Sequence, residues 1–235
     1  MKKALSIFII LLLPIVIFGQ ETNISFGTEF GIPANEFKEV AYDVIGIGLG
    51  GSILYNPGDF PIYFGVEGGY MLYGKTTNTT NIWVDDREVD GVYLPGAFYN
   101  ADFVRNNNIV HGHLVVRLKP MRDFFIMPYI DGLLGFKYLY TRTKLKVDDI
   151  NPKKALETNT EFKDLAWSYG GTAGVNIKLS EDLFLDINVM YQKGGKAKYL
   201  TEEDVEFDPN GDIINNTNTS RTDMFVPRIG ITFRM

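Results

Sequence analysis

The last twelve residues, 224–235, constrain the fold of this chain more than any other segment. Every second side chain there is apolar, and the set ends on an aromatic residue and a methionine: Phe225, Pro227, Ile229, Ile231, Phe233 and Met235. The side chains between them are mostly small or charged: Val226, Arg228, Gly230, Thr232 and Arg234. This alternation predicts a β-strand with one apolar face, as in the strands of a barrel that spans a membrane.

The other end of the chain reads as a secretory leader. Lys2 and Lys3 precede an apolar run over residues 4–18, which only Ser6 and Pro14 interrupt. A transmembrane helix needs about 20 apolar residues, so the run fits the core of a signal peptide better than a membrane anchor. We predict a signal peptide over residues 1–19 and one β-barrel domain over residues 20–235. An uncleaved anchor is the alternative.

Composition excludes some classes of protein. Without the leader the net charge is about −8, which argues against nucleic acid as a partner. The chain has no cysteine, so no disulfide can stabilise the exported domain. A closed, hydrogen-bonded barrel in lipid would provide that stability instead.

Period-two alternation divides the mature chain into eight runs. They cover residues 24–32, 44–55, 62–73, 108–119, 124–140, 166–179, 183–192 and 224–235. Three connections are short turns, at 56–59, 120–123 and 180–182, and four are longer, at 33–43, 74–107, 141–165 and 193–222. Short and long connections alternate strictly. The pattern predicts an all-β fold, an eight-stranded antiparallel up-and-down transmembrane barrel with tight periplasmic turns and long external loops.

Alternation alone does not say which face meets lipid, because a water-soluble barrel would point the same apolar set inward. Three features favour lipid outside. The bulky groups lie on one face and glycines such as Gly46, Gly48 and Gly50 on the other. Aromatic residues gather near the strand ends, as in the interfacial girdles of outer-membrane barrels. The runs are also long enough to cross a bilayer when tilted. A soluble periplasmic barrel remains the alternative.

With lipid outside, the charged residues lie inside. Eight strands leave room only for the barrel's own side chains, and buried charges must be paired. We therefore predict a plugged lumen with a structural polar network. Extrapolation from the turns places His113 opposite Asp131 and Asn176 opposite Asp186. The predicted network consists of Glu67, His111, His113, Arg117, Asp131, Lys137, Lys178, Asp186 and Arg228.

Two sets of residues could carry chemistry. His111 and His113, the only histidines, share the inner face of one strand and could form a metal site or an acid/base pair. A hydrolase would also need a nucleophile, and Ser168 is the inward serine near the loop-side rim. Lumen packing is the simpler interpretation. The acidic segment 202–212 could gather Ca²⁺, but its spacing does not follow an EF-hand loop. We expect no catalytic residue, metal or cofactor.

The run 226–235, the leader ending in Phe18, Gly19 and Gln20, the Gly-rich hairpin 45–69 and the hairpin 169–191 resemble the PorT-like outer-membrane β-barrel family of the Bacteroidota. The resemblance covers essentially the whole mature chain and is one of pattern. It implies an eight-stranded barrel in the cell outer membrane, inserted by the outer-membrane assembly machinery. One branch of that family assists protein secretion, and no residue here specifically marks that branch.

The sequence thus predicts a non-enzymatic outer-membrane barrel. Its partners would be outer-membrane lipid, the assembly machinery through the C-terminal strand, and surface or secretion partners through the external loops. An accessory role in protein secretion and a lipid-modifying or proteolytic barrel enzyme using His111 or His113 are the alternatives.

The leader generates the first testable prediction. Protein extracted from the outer membrane should begin at Gln20, because Gly19 offers the small residue that signal peptidase requires at the cleavage point. Intact-mass measurement checks this. The mass of the uncut 235-residue chain would contradict it.

Overall fold

The described part of the chain forms a closed antiparallel β-barrel of eight strands, so the predicted fold class is confirmed. The computed structural model describes residues 21–40, 45–58, 60–84, 86–89, 92–94, 96–147, 155–199, 205–207, 213–215 and 218–235. The barrel strands are β1 (Glu21–Pro33), β2 (Gly46–Asn56), β3 (Ile62–Val84), β6 (Ala97–Leu118), β7 (Ile126–Val147), β8 (Ala155–Lys178), β9 (Leu183–Gly194) and β14 (Met224–Arg234). The predicted leader lies outside the described residues.

Smaller elements lie in the long connections. The helix α1 (Glu36–Val40) follows β1, and β4 (Arg87–Val89) pairs with β5 (Val92–Leu94). Between β9 and β14, β10 (Lys196–Tyr199) pairs with β13 (Asn218–Arg221), and β11 (Val205–Phe207) pairs with β12 (Ile213–Asn215). Within the described ranges, no helix is both long enough and apolar enough to cross a membrane.

The barrel closes where its first strand meets its last. β1 and β14 are antiparallel neighbours in register from Asn23↔Arg234 to Pro33↔Met224. Beyond this ladder, Thr22 N donates to Met235 O at 2.9 Å and Met235 N donates to Thr22 O at 2.8 Å. The backbone groups of both terminal strands are therefore paired, which a sheet surrounded by hydrocarbon requires.

The outer surface of the barrel is apolar. Ile47, Val116 and Ile187 point away from the barrel axis and expose 59%, 50% and 40% of their surface. On β7 the outward apolar positions run from Ile126 to Phe136, a rise of about 26 Å at about 3.4 Å per residue and about 40° of tilt. That height matches the hydrocarbon thickness that a transmembrane barrel covers. The water-soluble arrangement is therefore wrong for this chain.

Two of the predicted long loops are mostly strand. β3 continues to Val84 and β6 already begins at Ala97, with an unbroken ladder from Gly74↔Asn107 to Val84↔Ala97. β7 and β8 likewise pair well beyond Tyr140. We call the loop-side parts of these two strand pairs the outer hairpins. They are the β3–β6 pair on the loop side of Tyr73 and the β7–β8 pair on the loop side of Tyr140. The predicted strand ends were wrong because they were placed where apolar alternation stops, whereas a ribbon in water keeps its ladder with polar, β-branched residues.

The register between β6 and β7 also differs from the prediction. Asp131 pairs with Arg117, and His113 pairs with Gly135, so the predicted pairing of His113 with Asp131 is wrong. β7 begins only at Ile126, because Phe124 and Phe125 belong to the turn. Their apolar side chains had extended the predicted strand into the turn. The other predicted pairing, Asn176↔Asp186, is confirmed.

The apolar exterior generates a prediction about depth. Ile130→Arg should destabilise the barrel in lipid by about 2–4 kcal/mol, because it places a cation near the bilayer midplane. Ile45→Arg is the matched control: Ile45 is as exposed as Ile130, 60% against 59%, but lies at the loop-side rim before β2, where the cost should be about 0–1 kcal/mol. Denaturant titration in vesicles measures both. Equal costs would contradict a lipid-facing exterior.

Candidate functional site

The barrel interior gathers the polar residues that the sequence places on the inner face. Those with buried side chains are Glu67, His111, His113, Arg117, Asp131, Lys137, Asp186 and Arg228. Lys178 differs from them, because it lies at the turn-side end of β8 and is half-buried. No ion pair joins Lys178 to another side chain that the structure describes.

One group of interior residues is built around Arg117. Its Nε and Nη2 donate to the two carboxylate oxygens of Asp131 at 2.7 and 2.9 Å, a bidentate ion pair between adjacent strands. The guanidinium also lies 3.6 Å from the ring centroid of Tyr129, and the Tyr129 hydroxyl donates to Asp186 at 2.6 Å. Tyr129 was missed from the sequence, although it shares the inner parity of β7 with Asp131.

A second group is built around Arg228 of β14. Its Nη1 donates to Glu29 at 3.3 Å, and its Nη2 lies 3.5 Å from Glu67. His111 Nε2 lies 3.6 Å from the other oxygen of Glu29. Glu29 and Arg228 face each other directly across the pair of strands that closes the barrel. Closure of the barrel therefore brings opposite charges together in a place that water does not reach.

Two glycines make room for the Glu29 carboxylate. A Cβ at Gly50 would collide with Glu29 Oε1, and a Cβ at Gly69 would lie 2.5 Å from Glu29 Oε2 and from the His111 ring. The Gly-rich inner face of β2 and β3 is thus a steric requirement of the charged interior. The sequence placed Gly50 on the inner face, but it could not say which side chain would occupy the space beside it.

The arrangement with the clearest chemical meaning joins Glu67, His113 and Ser168. His113 Nδ1 lies 2.9 Å from Glu67 Oε1, and His113 Nε2 lies 2.9 Å from Ser168 Oγ. A carboxylate only accepts hydrogen bonds, so Nδ1 donates to Glu67, and in a neutral imidazole Nε2 then accepts from the serine hydroxyl. This is the order of groups in a serine hydrolase triad. His113 and Ser168 meet across Gly135, which lies between them in register.

All three of these side chains are buried, and Ser168 is fully so. An apolar layer covers them on the loop side, where Phe37 of α1 packs 5.9 Å from the Tyr73 ring. The segment that carries Phe37 is fastened to the start of β14. Asn35, whose positive φ of 51° suits asparagine, donates to Asp223 at 2.8 Å, and Ala34 N donates to the Asp223 carbonyl.

Lys137 lies beneath this apolar layer, and its ammonium donates to the carbonyl oxygens of Thr222 at 2.6 Å and Gln192 at 3.4 Å. On the turn side the interior is aromatic and cationic. Lys119 Nζ lies 5.7 Å from the Tyr63 ring and 5.4 Å from the Phe184 ring. The described interior therefore combines a buried apolar cluster that includes Phe37 and Tyr73, the ionic groups around Arg117 and Arg228, and a cation among aromatic rings on the turn side.

The described residues contain no group of three or more metal-ligating side chains. The side chains of the acidic segment 202–212 lie outside the described residues. Of the aromatic residues in the longest connection, Phe98 is exposed on β6.

An apolar belt outside, an ionic interior and long hairpins on one side only define the class: this is a transmembrane β-barrel protein of the outer-membrane type. No protein-family model matches the sequence, and no curated protein matches it. Solved structures match 92% of the chain. They include the attachment invasion locus protein Ail of Yersinia pestis (13% identity, 99% of that chain, TM-score 0.39) and a major outer membrane protein of Thermus thermophilus (14%, 100%, 0.45). Neisserial surface protein A also matches (9% identity, 95% of that chain, 0.39).

The Arg117–Asp131 pair generates a prediction about stability. Asp131→Ala should destabilise the barrel by about 3–5 kcal/mol, because it leaves the Arg117 guanidinium buried without its carboxylate. Asp123→Ala is the control. Asp123 pairs with Arg234 at 3.2 Å but its side chain is 81% exposed, so the loss should stay below about 1 kcal/mol.

Denaturant titration in vesicles measures both variants. A double variant, Arg117→Met with Asp131→Leu, should recover most of the loss because no charge stays unpaired. Equal losses for Asp131→Ala and Asp123→Ala would contradict the assignment of a buried ion pair.

Proposed function

We propose that this protein is a closed, non-catalytic outer-membrane barrel that acts through the hairpins it extends beyond the membrane. The burial of the inward side chains supports the proposal, from Phe37 near the loops through Arg117 and Arg228 to Lys119 near the turns. An eight-stranded barrel is only wide enough to be filled by its own side chains. A solute then has no path through the barrel, and contact with partners falls to the outer hairpins.

The composition of the outer hairpins supports this role. They lie beyond the apolar belt, so water surrounds them. Backbone hydrogen bonds between their paired strands keep each one a two-stranded ribbon. Thr79 Oγ1 donates to Asp102 at 2.6 Å across the β3–β6 ribbon, and Phe98 exposes 71% of its surface near its tip. A hydrogen-bonded ribbon that exposes polar groups and an aromatic side chain suits a surface interaction, because its backbone is already paired before binding.

We further propose that the chain is a PorT-like barrel inserted by the outer-membrane assembly machinery. The closing run 226–235 and the hairpins 45–69 and 169–191 support membership of the PorT-like family, and the outward apolar face of β14 supports insertion through the assembly machinery. A part in protein secretion is not proposed, because none of these residues marks the branch that assists it.

Electrical recording tests the closed lumen. The purified protein in a planar bilayer should pass no steady current, because the ionic and apolar layers fill its cross-section. The control is a wide porin in the same bilayer. Protease added to intact cells should cut the outer hairpins and spare the turns at 56–59 and 180–182. A steady single-channel current in the unmodified protein would overturn the proposal of a closed barrel.

The hydrogen-bonded series from Glu67 through His113 to Ser168 favours a second candidate, a serine hydrolase. In that case Ser168 Oγ would attack an acyl carbon while its proton passes to His113 Nε2, and Glu67 would hold the imidazole. The bond to the alcohol or amine would then break as His113 returns that proton to the leaving group, which leaves an acyl-enzyme for water to hydrolyse. The complete burial of Ser168 argues for the structural role, because the apolar layer with Phe37 separates the hydroxyl from any substrate.

A serine-reactive fluorophosphonate separates the two candidates. The folded protein in detergent or native membrane should not react, because the Ser168 hydroxyl is covered. Phe37→Ala is a useful second sample, since it opens the loop-side layer without touching the three residues. Labelling of the unmodified protein that Ser168→Ala abolishes would establish the hydrolase and refute the non-catalytic role.

A further inference from the structure

The outer surface of β7–β10 carries basic side chains just beyond the aromatic band. Tyr138, Tyr140, Trp167 and Tyr169 face outward at the loop-side end of the apolar belt, and Trp167 is 77% exposed. The cations begin where these rings end. We call them the basic belt: Arg142, Lys144, Lys163, Lys193, Lys196 and Lys198.

The depth of the basic belt follows from the register. Arg142 lies two residues beyond Tyr140 on β7, and Lys163 pairs directly with Tyr140 from β8. Two residues of a tilted strand rise about 5 Å along the membrane normal. Aromatic girdles lie at the headgroup level. The belt therefore lies at the level of the outermost headgroup atoms, where lipid phosphates are found.

The aromatic band holds some of these cations in place. The Arg142 guanidinium carbon lies 5.2 Å from the Tyr140 ring centroid, and Lys193 Nζ lies 6.0 Å from the Tyr169 ring centroid. These are cation–π distances, so the two charges lie against the barrel wall instead of extending freely into water.

No ion pair joins a belt cation to a carboxylate among the side chains that the structure describes. Asp164 is the nearest described carboxylate along β8, and its two oxygens already accept from the backbone N–H groups of Leu165 at 2.8 Å and Lys198 at 2.7 Å. The sequence of the adjoining segments also supplies carboxylates, at Glu157 and Glu161 of β8 and in the acidic segment 202–212.

Like charges also face each other within the sector. Lys196 of β10 pairs directly with Arg221 of β13, and both side chains are exposed. Like charges in opposite positions of an antiparallel pair destabilise it. The carboxylate of Glu36, which accepts from the backbone N–H of Arg221 at 3.1 Å, lies beside this pair.

The geometry points to a binding site for the phosphorylated headgroup of an outer-leaflet lipid on the basic belt. The belt faces sideways from the barrel and continues an aromatic band that contacts acyl chains, so its ligand lies in the plane of the membrane. Basic side chains near a membrane surface attract anionic headgroups, and each contributes a similar amount of binding free energy. The inference rests on the proposed orientation, with the outer hairpins outside the cell.

The test uses the full folded protein in nanodiscs of neutral lipid doped with a glycolipid that carries two phosphates. Lipid retained by the protein is counted by native mass spectrometry. The same glycolipid after phosphatase treatment is the first comparison. We expect at least tenfold weaker retention of the dephosphorylated form, and equal retention of the two forms would overturn the proposal.

The variant Lys163→Gln with Lys196→Gln removes two exposed belt cations. It should weaken retention of the phosphorylated lipid on the order of 20-fold, since each cation near the surface contributes about fivefold. The matched control is Lys38→Gln with Lys75→Gln, which removes two exposed loop-side cations from another sector and should change retention less than about twofold. Equal effects of the two double variants would contradict a localised site.

Two further measurements separate an effect of charge from an effect on folding, and a lipid site from a phosphate site. Replacing Lys163 and Lys196 by arginine keeps the charge and should restore retention. Inorganic phosphate in excess should not displace the lipid, and complete displacement would show a site for free phosphate and overturn the lipid assignment. Failure of this proposal leaves the closed barrel intact, because current recordings on the same preparation test the lumen separately.

Discussion

The hydrogen-bonded closure of β1 onto β14 is the constraint on which the rest of the structure depends. A sheet in hydrocarbon cannot leave its edges unpaired, because each unsatisfied backbone group costs several kcal/mol there. Joining the two ends of the described chain removes both edges. The same register places Glu29 opposite Arg228, and the start of β14 supplies Asp223, which fastens the segment carrying Phe37. One strand pairing thus fixes the wall, an ionic contact inside it and the loop-side layer.

Closure also explains why the interior is charged. The outward positions of each strand must be apolar because they face lipid. The inward positions that alternate with them can be polar, but those polar side chains are buried away from water. The free-energy cost of burying isolated charges would be prohibitive. The interior charges are therefore paired, directly as in Arg117 with Asp131, or through shared contacts such as those of Arg228 with Glu29 and Glu67. Glycines at Gly50 and Gly69 give the Glu29 carboxylate the space that these contacts need. In a barrel this narrow, the packing of the interior and the pairing of its charges therefore depend on the same residues.

Much of this could be predicted from the sequence, because side-chain period and turn chemistry are local properties. The eight barrel strands and their outward faces followed from alternation, and Asn176↔Asp186 followed from a short turn. The register between β6 and β7 could not be predicted in this way, because Phe124 and Phe125 have the apolar side chains typical of a strand but lie in the turn. The outer hairpins were missed because ribbons in water show no apolar alternation. The contact of His113 with Ser168 depends on a neighbouring strand and on Gly135 between them, which no local pattern contains.

The fold and its charged interior depend on the assignment of the apolar face to lipid, and site-directed spin labelling along β9 tests that assignment most directly. The chain has no cysteine, so single cysteines can be placed at Ile187, Asn188, Val189 and Met190 without a background signal. In vesicles, collision with oxygen should be frequent at 187 and 189, which face lipid, and rare at 188 and 190, which face the packed interior. High oxygen accessibility at 188 and 190 with low values at 187 and 189 would contradict the account.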